Sequence, residues 1–207
     1  MKKVLSIAIM LLAVMTGGAQ DDIYGLNSRN TSNQDVNYDF SGITLNESGG
    51  YDKKIVADVE GVSAAELYGR AMEALSDWTD SDGRTKYGID YQDKETGTVI
   101  YKGRYEIGFK NVFLGDGWNN YGDYTLKVRC KDGKVQVTAT TTTITAIYNR
   151  NGMSRQASVL DFVYQVAKAK GNKRKKCEQM LAKIIAKTNS LVSLMVMRLK
   201  NPVEDDF

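Results

Sequence analysis

The sequence predicts an α+β domain in which about five antiparallel strands form a sheet and helices pack on one of its faces. Three observations predict this class. Segments of alternating apolar and polar residues are joined by short turns, an amphipathic helix follows the first of them, and the last quarter of the chain has helical periodicity. Amphipathic helices bury their apolar side against such a sheet, which gives a two-layer domain.

The folded part is predicted to begin with a strand over 53–60 and a helix over 63–79. Gly61 separates the two elements, and Ser63 and Glu66 have the spacing of a capping box at the start of the helix. The apolar residues of this helix recur at helical spacing and define one buried side. They are Leu67, Tyr68, Ala71, Met72, Leu75 and Trp78.

Four further strands are predicted as two hairpins, 87–92 with 98–108 and 121–131 with 134–148. The first hairpin has a five-residue loop that ends in Gly97, the residue that such loops favour. The second turns at Asp132-Gly133, the strongest hairpin signal in the chain.

Strand alternation in the second hairpin predicts which side chains are buried. Leu126 and Val128 are expected in the core, and Lys127 and Arg129 are expected in solvent. If all helices pack on the other face, the exposed face carries five basic residues, with Asp90 and Glu106 nearby. These are Lys102, Arg104, Lys127, Arg129 and Lys131.

The predicted basic face has two interpretations. It can be a platform for an anionic partner such as an envelope glycan or a lipid headgroup. Alternatively, it is a solvated face whose charges prevent the sheet from associating with itself.

The last quarter of the chain is predicted to form two helices, over 154–170 and 172–200. The second would be roughly 43 Å long at 1.5 Å per residue, so a break near 188–190 is expected.

The N-terminus has the pattern of a signal peptide. Lys2 and Lys3 precede an apolar run over 4–15, and small residues at 17–19 predict cleavage after Ala19. Gln20 stands where a lipoprotein would have cysteine, so no lipid anchor is expected. The predictions are an exported protein, periplasmic or secreted, without a transmembrane segment, and with a flexible polar leader over 20–50.

Composition narrows the function classes. A mature chain over 20–207 suits one domain and has a formal charge of about +1, so no nucleic-acid partner is expected. The chain has no histidine, and its two cysteines cannot complete a four-ligand zinc site. We therefore expect no metal, no cofactor and no enzymatic activity. A carboxylate-based hydrolase would need two facing carboxylates, such as Glu106 and Asp116.

Residues from Lys54 to about Ala146 resemble a family of domains of unknown function with a TBP-like fold, found in exported proteins of Gram-negative bacteria. Three motifs carry the resemblance. They are Val56-x-x-Val59-x-Gly61-Val62-Ser63-x-x-Glu66-Leu67-Tyr68-x-Arg70-Ala71 followed by Trp78, then 93–103, and then Tyr124-Thr125-Leu126-Lys127-Val128-x-x-Lys131-Asp132-Gly133. The resemblance implies a curved antiparallel sheet backed by helices and carries no known catalytic residue. The expected organisation is a signal peptide over 1–19, the leader over 20–50, the TBP-like domain over 51–150, and C-terminal helices over 151–207 that pack on the sheet.

The connection over 108–123 between the two hairpins is long and rich in aromatic residues and glycine. Long connections in compact domains are often functional. We expect a ligand site here, centred on Trp118, with Phe113 and Tyr121 as stacking surfaces and Asp116 as a polar partner. The alternative is that these aromatic residues cover the end of the core.

Cys130 and Cys177 both fall on sides predicted to be buried, one on a strand and one on a helix. An exported protein is in a compartment that permits disulfides, so a bond between them is possible. Two separate buried thiols are the alternative.

The expected function is that of an exported, non-catalytic module that binds an unknown glycan, lipid or protein at the cell envelope. A structural or assembly subunit is the alternative. It would have a contiguous exposed apolar patch on the last helix, around Leu194, Val196 and Met197. A carboxylate-based hydrolase is the third possibility.

Overall fold

The computed structural model describes residues 43–76, 78, 87–107, 118–148 and 152–201. The predicted signal peptide, most of the predicted leader and residues 108–117 of the 108–123 connection lie outside these ranges. The chain divides into two compact units, Met1–Thr44 and Leu45–Phe207. All the helices and strands named below belong to the second unit.

The elements are, in chain order, β1 Tyr51–Asp58, α1 Ala64–Ser76, β2 Gly88–Asp93, β3 Thr98–Glu106, β4 Trp118–Lys131, β5 Lys134–Tyr148, β6 Ser154–Ser158, α2 Val159–Lys168 and α3 Gly171–Lys200. The sheet has the order β1-β5-β4-β3-β2, with β6 also paired to β5, and the pairings are antiparallel. Both predicted hairpins are confirmed. Gly97 and Gly133 turn them with φ of 62° and 66°, a conformation that favours glycine.

Strand β5 holds the sheet together because three strands pair with it. β4 pairs with one side of β5 along its whole length. β1 and β6 pair with the other side of β5, one after the other. β1 begins opposite Thr141, at Tyr51, and β6 ends opposite Thr143, at Ser158. Thr142 lies between them, at a bulge in the pairing with β4. The bulge therefore falls where the two edge strands meet.

The sixth strand corrects the sequence prediction, which assigned 154–158 to a helix. The helix begins only at Val159, because Ser158 and Asp161 form a capping box. The Ser158 hydroxyl accepts from the Asp161 amide at 3.1 Å, and the Asp161 carboxylate accepts from the Ser158 amide at 2.8 Å. Residues before the cap are therefore free to extend the sheet along β5.

Helices α1 and α3 cover one face of the sheet, the inner face. The predicted alternation is confirmed there: Leu126 and Val128 are fully buried, and Lys127 and Arg129 are exposed. The start of α1 is also close to its prediction, since the Ser63 hydroxyl accepts from the Glu66 amide at 3.2 Å. The Glu66 side chain pairs with Arg70 within the same helix.

Helix α3 runs for 30 residues without the expected break. Thr188 does not interrupt it, because its hydroxyl donates back to the Ile184 carbonyl at 2.8 Å. Among the described helices, α3 is long and apolar enough to cross a membrane by length and composition. Its apolar side is nevertheless buried, with Leu181, Ile184 and Val192 fully covered, as in the core helix of a folded domain.

Candidate binding surface on the open face of the sheet

The face turned away from α1 and α3, the open face, has basic residues at its centre. Lys54 of β1 and Lys127 of β4 both pair with Thr138 of β5, so one row crosses three strands. The two lysines are two strands apart, roughly 10 Å at the usual strand spacing. Arg129 lies two residues beyond Lys127, about 7 Å along the strand. Lys54, Lys127 and Arg129 are exposed, and we call them the basic row.

The carboxylates of the open face are engaged by other protein groups. Asp58 pairs with Lys134 at 3.5 Å, and Asp90 pairs with Lys102 at 3.0 Å. Asp52 Oδ1 accepts a hydrogen bond from the side-chain Nδ2 of Asn46 at 2.8 Å. Within the described ranges, by contrast, none of the three basic-row residues forms an ion pair. The basic row therefore consists of three exposed cations without a carboxylate partner among the described residues.

Arg104 was predicted to belong to the exposed basic face, and the structure corrects this. Its side chain is 8 % exposed, and its Nε donates to Asp123 Oδ1 at 2.5 Å. The guanidinium carbon lies 5.2 Å from the ring centre of Tyr87 and 5.6 Å from that of Tyr121. Tyr87 and Thr145 also donate to the Asp123 carboxylate, at 2.9 and 2.5 Å. We call these five residues the arginine cluster.

Beneath the arginine cluster, β3 and β4 exchange glycine and tyrosine across the inner face. Gly103 pairs with Tyr124, and Gly122 pairs with Tyr105. A Cβ on Gly103 would lie 2.3 Å from Tyr124 Cζ, and one on Gly122 would lie 2.4 Å from Tyr105 Cζ. Each ring therefore occupies the space that a side chain on the opposite glycine would need.

The buried tyrosines of the inner face form a stack with satisfied hydroxyls. The Tyr124 ring centre is 6.3 Å from that of Tyr101 and 5.9 Å from that of Tyr105. The Tyr105 hydroxyl donates to Thr141 at 3.2 Å and lies 3.4 Å from the Thr188 hydroxyl. Burial raises the pKa of Tyr105 to about 12. This stack connects the sheet to α3.

The arginine cluster and the glycine–tyrosine exchange beneath it both arise from two tripeptides of the pattern Gly, charged residue, Tyr. Gly103-Arg104-Tyr105 and Gly122-Asp123-Tyr124 lie antiparallel in direct register. Alternation places glycine and tyrosine on the inner face and the charged residue on the open face. The repeated pattern of Gly, a charged residue and Tyr is visible in the sequence, but it was not used to predict this pairing.

The predicted ligand site in the 108–123 connection is altered by the structure. β4 begins at Trp118, so Trp118 and Tyr121 belong to a strand and not to a loop. The strand extends this far because Gly122 accommodates the Tyr105 ring and the backbone pairs with β5 up to Tyr148. Tyr121 lies over Arg104. Phe113, Asp116 and the Trp118 side chain lie outside the described residues.

Cys130 and Cys177 are buried free thiols, so the disulfide is not formed. The two residues lie at opposite ends of the helix layer. The C-terminal end of α3 reaches α1, where Arg70 donates to the Leu199 carbonyl, and α1 begins beside the turn that follows Cys130. Cys177 is about 33 Å from Leu199 along α3. Burial raises the pKa of both thiols, that of Cys130 to about 11.

The alternative of an assembly subunit is not favoured by the surface of α3. Met197 is 51 % exposed, but Leu194 and Val196 are half-buried. Of the three residues, only Met197 is therefore largely exposed.

A metal site would need grouped ligand side chains, and a carboxylate-based hydrolase would need two facing carboxylates. No group of three or more potential metal ligands occurs in the described ranges. Glu106 lies near two partly buried lysines of α3, Lys183 and Lys187, whose pKa values are lowered mainly by burial. Asp116, the other carboxylate proposed for a hydrolase, lies outside the described residues.

An open antiparallel sheet with helices on one face defines an α+β domain of the TBP-like class. Residues 53–145 match the family model described as "Domain of unknown function (DUF4468) with TBP-like fold". The match covers the part of the chain that carries the sequence motifs and confirms the resemblance to this family. A search of the curated proteins found no match.

Two similar crystal structures agree with this assignment. A DUF4468 family protein from Bacteroides ovatus ATCC 8483 superposes with a TM-score of 0.55 at 16% identity, covering 77% of this chain and 90% of its own. A TBP-like protein from Parabacteroides distasonis ATCC 8503 gives 0.51 at 13% identity, covering 77% and 97%. At these identities the likeness concerns the fold.

Proposed function

We propose that this protein is an exported, non-catalytic module that binds an anionic glycan of the cell envelope on the open face of its sheet. One observation carries the proposal. The carboxylates of that face are engaged by protein donors, whereas Lys54, Lys127 and Arg129 are exposed and form no ion pair with a described carboxylate. Unneutralised positive charge on an exposed face attracts anionic ligands.

The arrangement of the basic row suits an extended chain. Its charges are roughly 7 to 10 Å apart, and half-buried hydroxyl and amide side chains lie between them. Thr138 separates Lys54 from Lys127, and Gln136 faces Arg129. These groups can donate to and accept from sugar hydroxyls while the cations contact the carboxylates of the sugar chain.

Export rests on the signal-peptide pattern of residues 1–19, which lie outside the described ranges. The test is the intact mass of the protein after expression in a Gram-negative host. We expect a chain that begins at Gln20 and is recovered from the envelope fraction. Uncleaved protein in the cytoplasm would overturn the export proposal and leave the binding proposal to be tested separately.

Binding is tested by calorimetric titration with polygalacturonate, a linear polyuronate, and with neutral dextran as the control polymer. We expect salt-sensitive binding of polygalacturonate and no binding of dextran. Reversing two charges in Lys127→Glu/Arg129→Glu is expected to weaken binding at least about tenfold. The matched control is Lys173→Glu/Lys176→Glu, which makes the same charge change on exposed residues of α3.

Equal loss in the two double variants would show that overall charge, and not the open face, attracts the polymer. Absence of binding in the unmodified protein would overturn the proposed ligand class.

A further inference from the structure

The junction between α2 and α3 is strongly basic. Two extended residues, Ala169 and Lys170, join the helices. Residues 162–177 contain six basic residues and no acidic one, namely Lys168, Lys170, Lys173, Arg174, Lys175 and Lys176. Four of the lysines are exposed, at 168, 170, 173 and 176. Arg174 pairs with Glu178 inside α3.

Lys168 suits the last turn of α2 and Arg174 pairs with Glu178, but the lysines at the start of α3 oppose its dipole. The first turn of α3 has no acidic residue, and Lys170 at its N-cap makes no side-chain capping bond. Basic side chains at a helix N-terminus oppose the helix dipole and repel one another. Lys170 and Lys173 therefore weaken the start of α3, and the charge of the exposed lysines is available to an anionic partner.

Exposed apolar side chains continue from this basic region along α2. Leu160 and Tyr164 are one turn apart and are 51% and 53% exposed. Val159 and Phe162 are buried in the core, so α2 carries apolar side chains on two sides. The Lys168 ammonium lies 4.2 Å from the ring centre of Tyr164. Leu160, Tyr164 and Lys168 thus recur every four residues on one exposed side of α2, which leads to the junction that carries the other lysines.

We propose that the α2–α3 junction binds the surface of a bilayer that contains anionic phospholipids. Leu160 and Tyr164 enter the headgroup region, and the exposed lysines contact lipid phosphates. Apolar residues beside lysines are the pattern of interfacial helices, and tyrosine concentrates at membrane interfaces. Charge complementarity alone would also suit a soluble polyanion, but that partner would leave the apolar pair in water.

This membrane contact is independent of the proposed glycan site, because the basic row lies on the sheet and the junction lies between helices. The test uses the exported protein with its N-terminus determined by mass, mixed with vesicles and sedimented. One vesicle type has 30% phosphatidylglycerol in phosphatidylcholine, and the other has phosphatidylcholine alone. Binding to the neutral vesicles is subtracted from binding to the anionic vesicles. This removes any contribution of an uncleaved apolar N-terminus, which would bind to both.

We expect binding to the anionic vesicles that weakens with salt. Each basic residue contributes about fivefold to such binding, so Lys173→Glu/Lys176→Glu should reduce it by about 25-fold or more. The fold should survive, because acidic residues suit the start of a helix and keep or raise the melting temperature. Tyr164→Ser should also weaken binding, whereas the charge-matched Lys127→Glu/Arg129→Glu should leave it unchanged.

Three results would overturn the proposal. They are no preference for anionic vesicles in the unmodified protein, equal loss in the two charge-reversal variants, and unchanged binding in Tyr164→Ser. The last result, together with loss in the lysine variant, would assign the junction to a soluble polyanion instead of a bilayer.

Discussion

The two faces of the sheet carry alternate residues of the same strands, β3 and β4, but their polar groups have different roles. On the inner face, Tyr105 and Tyr124 lie over the glycines of the opposite strand, and the Tyr105 hydroxyl bonds to buried threonines. On the open face, Lys127 and Arg129 point into solvent without an ion pair to a described carboxylate. The comparison separates polar groups that stabilise the fold from polar groups that are available for binding.

The arginine cluster shows that position on a face does not by itself decide the role of a charge. Arg104 and Lys102 lie on the same face of the same strand. Arg104 is covered by two tyrosine rings and bound to Asp123, whereas Lys102 makes an exposed pair with Asp90. Burial by neighbouring strands makes Arg104 part of the fold.

The largest expected effect is at the glycine–tyrosine exchange. Gly122→Ala places a methyl group where the Tyr105 ring lies, and the ring cannot move away from its neighbours in the core. We expect a loss of about 3 kcal/mol in the free energy of unfolding, measured by urea denaturation. The control is Gly69→Ala on the exposed side of α1, where an added Cβ would have no atom within 4 Å. This change should stabilise the protein by about 0.5–1 kcal/mol. Similar losses at both glycines would contradict the packing argument.

A smaller loss in the free energy of unfolding is expected when Arg104 is removed from the arginine cluster. Arg104→Met leaves the Asp123 carboxylate with hydroxyl donors alone, which should cost about 2–3 kcal/mol in the same assay. Lys102→Met, on the same strand, should change stability by less than about 0.5 kcal/mol, because its ion pair is exposed. If the two variants lost the same amount, Arg104 would be no more structural than Lys102.

Because the Tyr105 hydroxyl is buried, we expect its contribution to the free energy of unfolding to depend on pH. Its pKa is about 12 in the folded protein and about 10 when unfolded, so the unfolded state loses its proton first as pH rises. Its stabilisation is complete below pH 10 and is lost as pH rises from 10 to 12. Tyr105→Phe should therefore be less stable than the unmodified protein by about 0.5–1.5 kcal/mol at pH 7, where the hydroxyl keeps its hydrogen bonds. The difference should move in favour of the variant by about 2 kcal/mol as pH rises to 12.

Unfolding free energies of both proteins between pH 7 and 12 provide the measurement. The Cys130 thiol titrates over part of this range in both proteins, so the difference between them isolates Tyr105. A constant difference across the range would mean that the hydroxyl is not buried.

Local patterns in the sequence predicted much of the fold because they depend on near neighbours in the chain. The turns at Gly97 and Gly133, the start of α1 and the burial of Leu126 beside exposed Lys127 follow from turn chemistry and alternation. Strand β6 was missed because its residues fit a helix, and the capping box at Ser158 went unrecognised.

The binding surface was less predictable because it depends on which strands become neighbours. Lys127 and Arg129 were identified from alternation within one strand. Lys54 was not, because nothing local shows that β1 pairs with β5. Arg104 was assigned to solvent because its burial requires the register of β3 with β4 and two tyrosines distant in sequence.

The central claim is that the basic row serves binding and not folding, and one double variant tests it most directly. Lys127→Glu/Arg129→Glu is measured for its unfolding free energy in urea and for its affinity for polygalacturonate on the same sample. The account predicts a change of less than about 0.5 kcal/mol in stability, because exposed charges contribute little, together with affinity at least tenfold weaker. Unchanged affinity, or a stability loss of about 2 kcal/mol or more, would contradict it.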